Sequence, residues 1–189
     1  MPKVFPFAPS RWYCAVCLFV AIALAGAAAD LLTKHWVFQA LHDTEPGAVY
    51  WIVQDVFGFQ LSLNTGGLFG FASGWTAVLS LLSLIFLVGI IGFVALWGWR
   101  SWFLTVILGL IVAGICGNLY DRLGWHGLVD ANGLPIYAVR DWILCMIGTF
   151  HYPNFNIADS LLVCSVILLL LHELWFNKEP KESAPESTE

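Results

Sequence analysis

The chain has 189 residues and a net charge of −5, and 59% of its residues are hydrophobic while only 11% are charged. Soluble domains carry about 25% charged residues, and eight basic plus thirteen acidic side chains are too few to cover a soluble protein of this length. This composition excludes a soluble globular fold. The sequence also contains no basic cluster, which excludes nucleic acid as a partner.

Long stretches without charge predict where the chain crosses the membrane. The charge-free stretches are residues 12–29, 56–99, 101–120 and 142–158, and Glu173 is the next charged residue after Asp159. A spanning helix needs about 20 mostly apolar residues. We therefore predict an all-α polytopic membrane protein, with one domain over residues 1–176 and transmembrane helices near 12–31, 75–97, 101–120 and 156–176.

The basic residues predict how these spans are oriented. One side of the spans holds Lys3, Arg11, Arg100, Lys178 and Lys181, whereas the other holds Lys34, Arg122 and Arg140. The more basic side faces the cytoplasm, so we expect cytoplasmic termini and outer loops over residues 32–74 and 121–155. The first apolar stretch is longer than the roughly 7–15 residues of a signal-peptide core and is expected to stay uncleaved. Segment 177–189, rich in Pro, Ser and Glu, is predicted to be a disordered cytoplasmic tail.

The first outer loop contains a strand pattern. Between Phe57 and Asn64, apolar residues alternate with small or polar ones, which is typical of a half-buried strand. Val49, Trp51 and Val53 alternate in the same way and predict a second strand. We therefore expect a small extracytoplasmic β-sheet on the outer face of the membrane.

Small residues recur along the third predicted span. Gly109, Ala113 and Gly117 are spaced four residues apart and lead into Asp121. This spacing lets helix backbones approach closely in a membrane. We expect the polar end of this span to pack against its neighbours.

Polar residues that lipid should exclude gather at the predicted outer ends of the spans. A charge at mid-membrane costs about 2.5–3.5 kcal/mol even on the lenient insertion scale, so such groups are functional candidates. Several of them are three or four residues apart and so share a helix face. The candidates are Asp30, Lys34, Asn64, Asn118, Asp121, Arg122, Asp141, Asn156 and Asp159.

Some of these groups also have a simple structural interpretation. Asp30 and Lys34 can form an ion pair that neutralises a helix end, and Asp121 with Arg122 can act as a brace. Asn64 can be a turn residue, because glycines follow it closely. For these five residues the structural and the functional interpretations both stay open.

Asp141 and Asp159 fit a structural role less well. Asp159 begins an almost wholly apolar span and has no cation within one helical turn. Two carboxylates held together in low dielectric do not both ionise readily, and such a pair can activate a water for attack on a carbonyl. The sequence has no His-Glu-x-x-His zinc motif and no Gly-x-Ser-x-Gly motif. Aspartyl protease chemistry is the interpretation that these residues favour.

Five blocks hold the polar residues together in a fixed order. They are Asp30-Leu-Leu-Thr-Lys34, Asn64-Thr-Gly-Gly-Leu-Phe-Gly70, Ala113-Gly-Ile-Cys-Gly-Asn-Leu-Tyr-Asp-Arg122, Val139-Arg-Asp141-Trp142 and Phe155-Asn-Ile-Ala-Asp159-Ser160. This order resembles the bacterial lipoprotein signal peptidases (signal peptidase II). The resemblance implies an intramembrane aspartyl endopeptidase that removes signal peptides from prolipoproteins, cutting before a Cys that carries a diacylglyceryl group.

The resemblance also implies a catalytic pair of aspartates. The Asp of Asn-x-Ala-Asp corresponds to Asp159, and the Asp of Val-x-Asp corresponds to Asp141. About eleven extra residues precede Asp141, so Asp130 is an alternative that keeps the spacing from Asp121. We favour Asp141 because the spacing to the partner carboxylate constrains geometry more. The insert 130–140 is expected to extend the outer loop over the site.

The remaining implications concern the supporting residues and the setting. The resemblance implies residues that line or brace the site, at Asn118, Asp121, Arg122, Asn156, Asn64, Asp30 and Lys34. It implies no metal and no cofactor, a prolipoprotein substrate, contact with membrane lipid and a monomer. It places the protein in the bacterial cytoplasmic (inner) membrane with its active site near the outer face.

A function of another class remains open from the residues alone. Asp30, Asp121 and Asp159 could form the proton relay of a small proton-coupled transporter or channel subunit. That function predicts polar groups spread through the membrane depth and repeated halves with broken helices. The sequence shows no internal repeat, and its second span is uninterrupted.

Overall fold

The computed structural model describes residues 9–66, 74–97 and 101–176. In this part of the chain four long helices alternate with short strands. The elements are α1 (Pro9–Ala40), β1 (Tyr50–Val53), β2 (Phe57–Asn64), α2 (Thr76–Trp97), α3 (Trp102–Arg122), β3 (Val139–Ile147), β4 (Phe150–His151) and α4 (Ile157–Phe176). The predicted tail, residues 177–189, lies outside the described residues.

All four helices are long and apolar enough to cross a membrane, as predicted. Three of them begin and end within two residues of the predicted limits. The exception is α1, which continues to Ala40, so the predicted end at residue 31 and the predicted loop 32–74 are wrong there. Lys34 does not end the helix because its ammonium is fully buried against carboxylates.

Helix α3 is the central element, packing against α1, α2 and α4. Its small residues make the close approach possible, as the sequence predicted. Ala113 is fully buried, and a methyl group at Gly114 would lie 2.7 Å from the carbonyl oxygen of Ala158 in α4. Gly117 faces Asp30 of α1, leaving no room for a side chain. The outer end of α3 is therefore in direct contact with the polar ends of two other helices.

The strands form one antiparallel sheet in the order β1-β2-β3-β4. The predicted limits of β2 are confirmed, and β1 confirms the second predicted strand. The sequence analysis missed β3, whose first six residues are all buried. A strand that is buried on both faces does not alternate between apolar and polar residues. A search for such alternation therefore cannot find it. Its signal is the short apolar run that follows Asp141.

Candidate active site

Asp141 reaches the site from the centre of the sheet. The register between β2 and β3 places Ser62 opposite Asp141 and Asn64 opposite Val139. Asn64 Nδ2 donates a hydrogen bond of 3.0 Å to Asp141 Oδ2. The Asn64 Oδ1 accepts from the main-chain N–H of Gly66, which holds the side chain in place. Asn64 therefore contacts both the turn that follows it and the carboxylate of Asp141.

Asp159 reaches the site from the first turn of α4. Asn156 immediately precedes the helix, and its Oδ1 accepts a 2.9 Å hydrogen bond from the Asp159 main-chain N–H. Asp159 Oδ2 accepts in return from the Asn156 main-chain N–H at 3.2 Å. This reciprocal arrangement is a capping box, which satisfies two N–H groups that a helix terminus leaves free. The cap fixes the position of the Asp159 carboxylate.

The Asn156 side chain links the two aspartates. Its Nδ2 donates to Asp141 Oδ1 at 2.6 Å and to Asn118 Oδ1 at 3.1 Å, and the side chain is fully buried. Because Asn156 also caps α4 through Asp159, one residue holds both carboxylates. The structure thus holds Asp141 and Asp159 in one hydrogen-bond network.

Asn118 of α3 completes this amide network. Its Nδ2 donates to Asp159 Oδ1 at 2.8 Å, and its Oδ1 accepts from Lys34 Nζ at 3.0 Å and from Asn156. An amide oxygen has two lone pairs, so both are used. With two donors on its oxygen, the Asn118 amide is fixed with its N–H groups towards Asp159.

A neutral cluster of four buried charges lies behind the amides. Lys34 Nζ contacts Asp30 Oδ2 at 2.6 Å and Asp121 Oδ2 at 3.2 Å. Arg140 donates from Nη2 and Nε to Asp121 Oδ1, at 2.8 and 3.1 Å, and from its main-chain N–H to Asp121 Oδ2. Asp30 Oδ1 accepts from the main-chain N–H of Ala158 in α4. The cluster therefore ties α1, α3, β3 and α4 together beneath the aspartates.

The predicted brace between Asp121 and Arg122 is wrong, because Asp121 pairs with Lys34 and Arg140 instead. Adjacent helical residues point in different directions and do not face each other. Arg122 lies among the residues that line a cavity with Asp159. Arg140, which stands beside Asp141 in the Val-Arg-Asp block, was not among the candidate site residues, although its position next to an Asp is that of a site partner.

Burial and a neighbouring charge shift the titration of Asp141, whose side chain is almost fully buried in the sheet. Removal of its carboxylate from water raises the pKa of Asp141 to about 7, and the negative charge of Asp159 acts in the same direction. Hydrogen bonds from Asn64 and Asn156 oppose the shift in pKa but do not cancel it. At neutral pH the Asp141 carboxyl therefore readily holds a proton.

Asp130, the alternative to Asp141, lies apart from this network. It is exposed at the turn of the insert, where its Oδ1 accepts from the main-chain N–H groups of Asn132 and Leu134. These hydrogen bonds lower the pKa of Asp130. Within the insert 130–140, residues 130–138 line neither cavity described below, whereas Val139 lines the second one. The insert folds back on itself, with Val129 bridging to Pro135.

Two cavities open on either side of the aspartates. The sheet cavity, of about 480 Å³, is lined by Gly47, residues 60–66, Asp141, His151, Pro153 and Asn154. The helix cavity, of about 500 Å³, contains Asp159 and Arg122 and is otherwise mostly apolar, with Cys145, Phe155, Leu162 and Val163 in its wall. Both cavities include Asn64, Pro153 and Asn154. One aspartate thus lies on each side of a shared wall.

Metal ligands are not grouped in this region. Within residues 9–66, 74–97 and 101–176, no three His, Cys, Asp or Glu side chains lie close enough to hold a metal ion. The polar network instead consists of carboxylates, amides and two buried cations. Its chemical capacity is that of two neighbouring carboxyl groups, one with a raised pKa.

Comparisons with known proteins identify relatives of this chain by sequence and by fold. A solved bacterial membrane enzyme superposes with a TM-score of 0.67 at 26% identity, covering 88% of this chain and 94% of its own. A lipoprotein signal peptidase of Rhodopirellula baltica is 40% identical over 88% of this chain and 76% of its length. One of Deinococcus radiodurans is 31% identical over 97% of this chain and 92% of its length. The family model for signal peptidase (SPase) II matches residues 22–175. The chain therefore belongs to the signal peptidase II family.

Proposed function

We propose that this multi-pass bacterial membrane protein is an aspartic endopeptidase that removes the signal peptide of prolipoproteins, with Asp141 and Asp159 as its catalytic pair. The proposed cleavage lies immediately before a Cys that carries a diacylglyceryl group. The observation that carries the proposal is the single amide of Asn156, which contacts Asp141 and caps the helix turn of Asp159. The family membership supports the substrate class.

The two carboxyl groups have different roles in the proposed reaction. Asp159 accepts a proton from water, and the water oxygen bonds to the scissile carbonyl carbon. Asp141, whose pKa is raised to about 7, donates its proton to the carbonyl oxygen. The carbon–nitrogen bond then breaks: the leaving amine takes the proton held by Asp159, and one hydroxyl group of the tetrahedral intermediate returns its proton to Asp141 as the carbonyl re-forms. No covalent bond to the protein forms in this sequence.

Asn118, Asn156 and Asn64 serve this chemistry by orienting the carboxyl groups. Each donates an N–H to Asp159 or Asp141, so neither carboxylate is free to rotate. Arg122, whose side chain reaches the helix cavity, adds positive charge beside Asp159. The cluster around Lys34 supports the amides from below, through its contact with Asn118.

The two cavities suggest how a substrate is held. The mostly apolar helix cavity suits the apolar end of the signal peptide and the diacylglyceryl group of the Cys that follows it, and it stands beside the lipid-facing residues of α4. The sheet cavity, with its exposed polar groups, suits the residues that follow this Cys. The scissile bond then crosses the shared wall between Asp159 and Asp141.

The proposed setting follows the distribution of charge. The termini are placed in the cytoplasm and the sheet, with its aspartates, near the outer face of the inner membrane. Residues 1–176 act as one domain, working as a monomer in contact with lipid. The comparisons give no support to a proton-coupled transporter.

Three matched substitutions test the catalytic pair. Asp141→Asn and Asp159→Asn each remove one carboxyl group and should lower the cleavage rate of a diacylated prolipoprotein by about 10²–10⁴-fold, the usual contribution of acid–base catalysis. Asp130→Asn changes the same group at an exposed position and should stay within about twofold of the parent. Cleavage is followed by gel shift with purified protein.

Two results would contradict the proposal. Full activity in Asp141→Asn together with loss in Asp130→Asn would reassign the first carboxylate. Proton flux in liposomes without any peptidase activity would favour a transporter instead.

A further inference from the structure

Asn154 occupies the wall shared by the two cavities, where the segment before α4 is fixed against β3. The main-chain N–H of Tyr152 donates to Cys145 O, and that of Phe155 donates to Ile143 O. Asn154 lies between these two anchor points. Its position is therefore set by the sheet rather than by the helices.

The orientation of the Asn154 amide is fixed by the main-chain and side-chain carbonyl oxygens of Gln60. Asn154 Nδ2 donates to Gln60 O at 3.0 Å and to Gln60 Oε1 at 3.1 Å. Gln60 Nε2 in turn donates to Gly47 O at 2.7 Å, which fixes the Gln60 oxygen towards Asn154. A carbonyl oxygen only accepts hydrogen bonds, so a turned Asn154 amide would place two acceptors in contact.

This orientation leaves the Asn154 Oδ1 as an unused acceptor. The atom is buried and has no hydrogen-bond donor among the residues that the structure describes. Asn154 itself lines both the sheet cavity and the helix cavity. Buried polar groups are almost always paired, and an unpaired one is costly. Asn154 thus combines an unused acceptor with a place in the wall of both cavities.

We propose that Asn154 is a substrate-binding residue whose Oδ1 accepts a hydrogen bond from a backbone N–H of the bound peptide. The inference rests on the proposed peptidase function and identifies one point of contact within it. A peptide crossing from the helix cavity to the sheet cavity passes this oxygen, and it presents an N–H at nearly every residue. The acceptor is neutral, so it requires no charged side chain on the substrate.

Ester substitution of the substrate tests this contact directly. A series of diacylated lipobox peptides is made in which one backbone amide near the cleavage site is replaced by an ester, leaving the scissile amide unchanged. Each ester lacks one N–H. For the parent enzyme, one position in the series should lower kcat/KM by about 3- to 10-fold, the effect of one hydrogen bond.

The same peptides are then cut by Asn154→Leu, which removes the acceptor at similar size. With the all-amide peptide this variant should lose a comparable 3- to 10-fold or more, because its amide also contacts Gln60. With the sensitive ester it should show no further loss, since the contact is already gone. Asn132→Leu, at an exposed residue of the insert turn that lines neither cavity, should keep the full ester effect.

The outcomes separate this inference from the function on which it rests. Equal ester sensitivity in Asn154→Leu and the parent would overturn the inference while leaving the peptidase function intact. The parent enzyme alone can also overturn the inference, whether or not Asn154→Leu folds: this happens if no ester position changes its kcat/KM by more than twofold. Asn154→Ala provides the second variant if leucine is not accommodated. A parent enzyme that cuts no diacylated peptide refutes the proposed function and the contact together.

Discussion

Replacing Lys34 with methionine removes the central cation of the buried cluster while keeping the length of the side chain. Lys34 Nζ contacts Asp30, Asp121 and Asn118 and has no exposure to solvent. In the variant, Asp121 keeps its contacts with Arg140. Asp30 keeps only the main-chain N–H of Ala158. One buried carboxylate is therefore left without a cation.

The magnitude follows from that one carboxylate. Breaking a buried ion pair by removing one partner costs about 3–5 kcal/mol of unfolding free energy, and we expect Lys34→Met to fall in this range. Asp30→Asn in the Lys34→Met background removes the stranded charge and leaves only lost hydrogen bonds, which cost about 1–2 kcal/mol. The double variant should therefore be more stable than the single one.

Unfolding in detergent micelles, measured for the four members of this double-mutant cycle, gives the coupling between Asp30 and Lys34. Arg11→Met is the control, because it removes a positive charge at an exposed residue near a Trp102 ring and should cost no more than about 1 kcal/mol. A double variant less stable than Lys34→Met would refute the reasoning. It would mean that the carboxylate of Asp30 is not compensated by Lys34.

Three further predictions concern the site and the helix contacts. Because the pKa of Asp141 is raised from 3.8 to about 7, kcat/KM should fall about tenfold per pH unit above pH 7 as the acid form is lost. By the same shift in pKa, the stability contributed by protonated Asp141 is full below pH 3.8 and is lost by about pH 7. Gly114→Ala forces a methyl group against Ala158 O and should lower the free energy of unfolding by about 1–3 kcal/mol. In the control Gly89→Ala, the added methyl group has no atom within 4 Å, so this variant should not destabilise the protein. Asn156→Ser keeps a good N-cap but removes the donors to Asp141 and Asn118, so the free energy of unfolding should fall by about 1–3 kcal/mol and cleavage should be at least tenfold slower.

Each of these expectations has a contrary result. A kcat/KM that stays flat from pH 6 to pH 9 would show that the protonated form of Asp141 is not required. Equal melting temperatures for Gly114→Ala and the parent would contradict the close contact between α3 and α4. Parental activity in Asn156→Ser would show that its amide does not position the carboxyl groups.

The spans and two strands could be predicted because their patterns are local. The charge-free stretches of α2, α3 and α4 mark helices within two residues, and the alternation from Phe57 to Asn64 marks β2. The true end of α1 could not be predicted from the sequence, because it depends on a carboxylate 87 residues further along, at Asp121, that compensates Lys34. A charge that is compensated by a residue so distant in the sequence cannot be recognised from the residues around it.

Some of the residues that form the candidate site could also be predicted. Helical spacing places Asp30 with Lys34, and the family resemblance favoured Asp141, which the structure places in contact with Asn156. Which cation pairs with Asp121 was not predictable, since it depends on the approach of β3 to the end of α3. The unpaired oxygen of Asn154 was also not predictable, because the amide is oriented by the carbonyl of Gln60, and the Gln60 side chain is oriented in turn by the carbonyl of Gly47.

The hydrogen bond from Ala158 to Asp30 has a consequence for biosynthesis. The carboxylate is made early and enters the membrane with α1, but its donor lies 128 residues later, in α4. Ribosomal synthesis runs from the N-terminus, so α1 and α3 can associate, with Asp30 paired to Lys34, before the main-chain donor of Ala158 is made. The same helix turn that supplies the donor also carries Asp159. A nascent chain thus completes the hydrogen bonds of its buried charge cluster and positions the carboxyl group of Asp159 in the same step of membrane insertion.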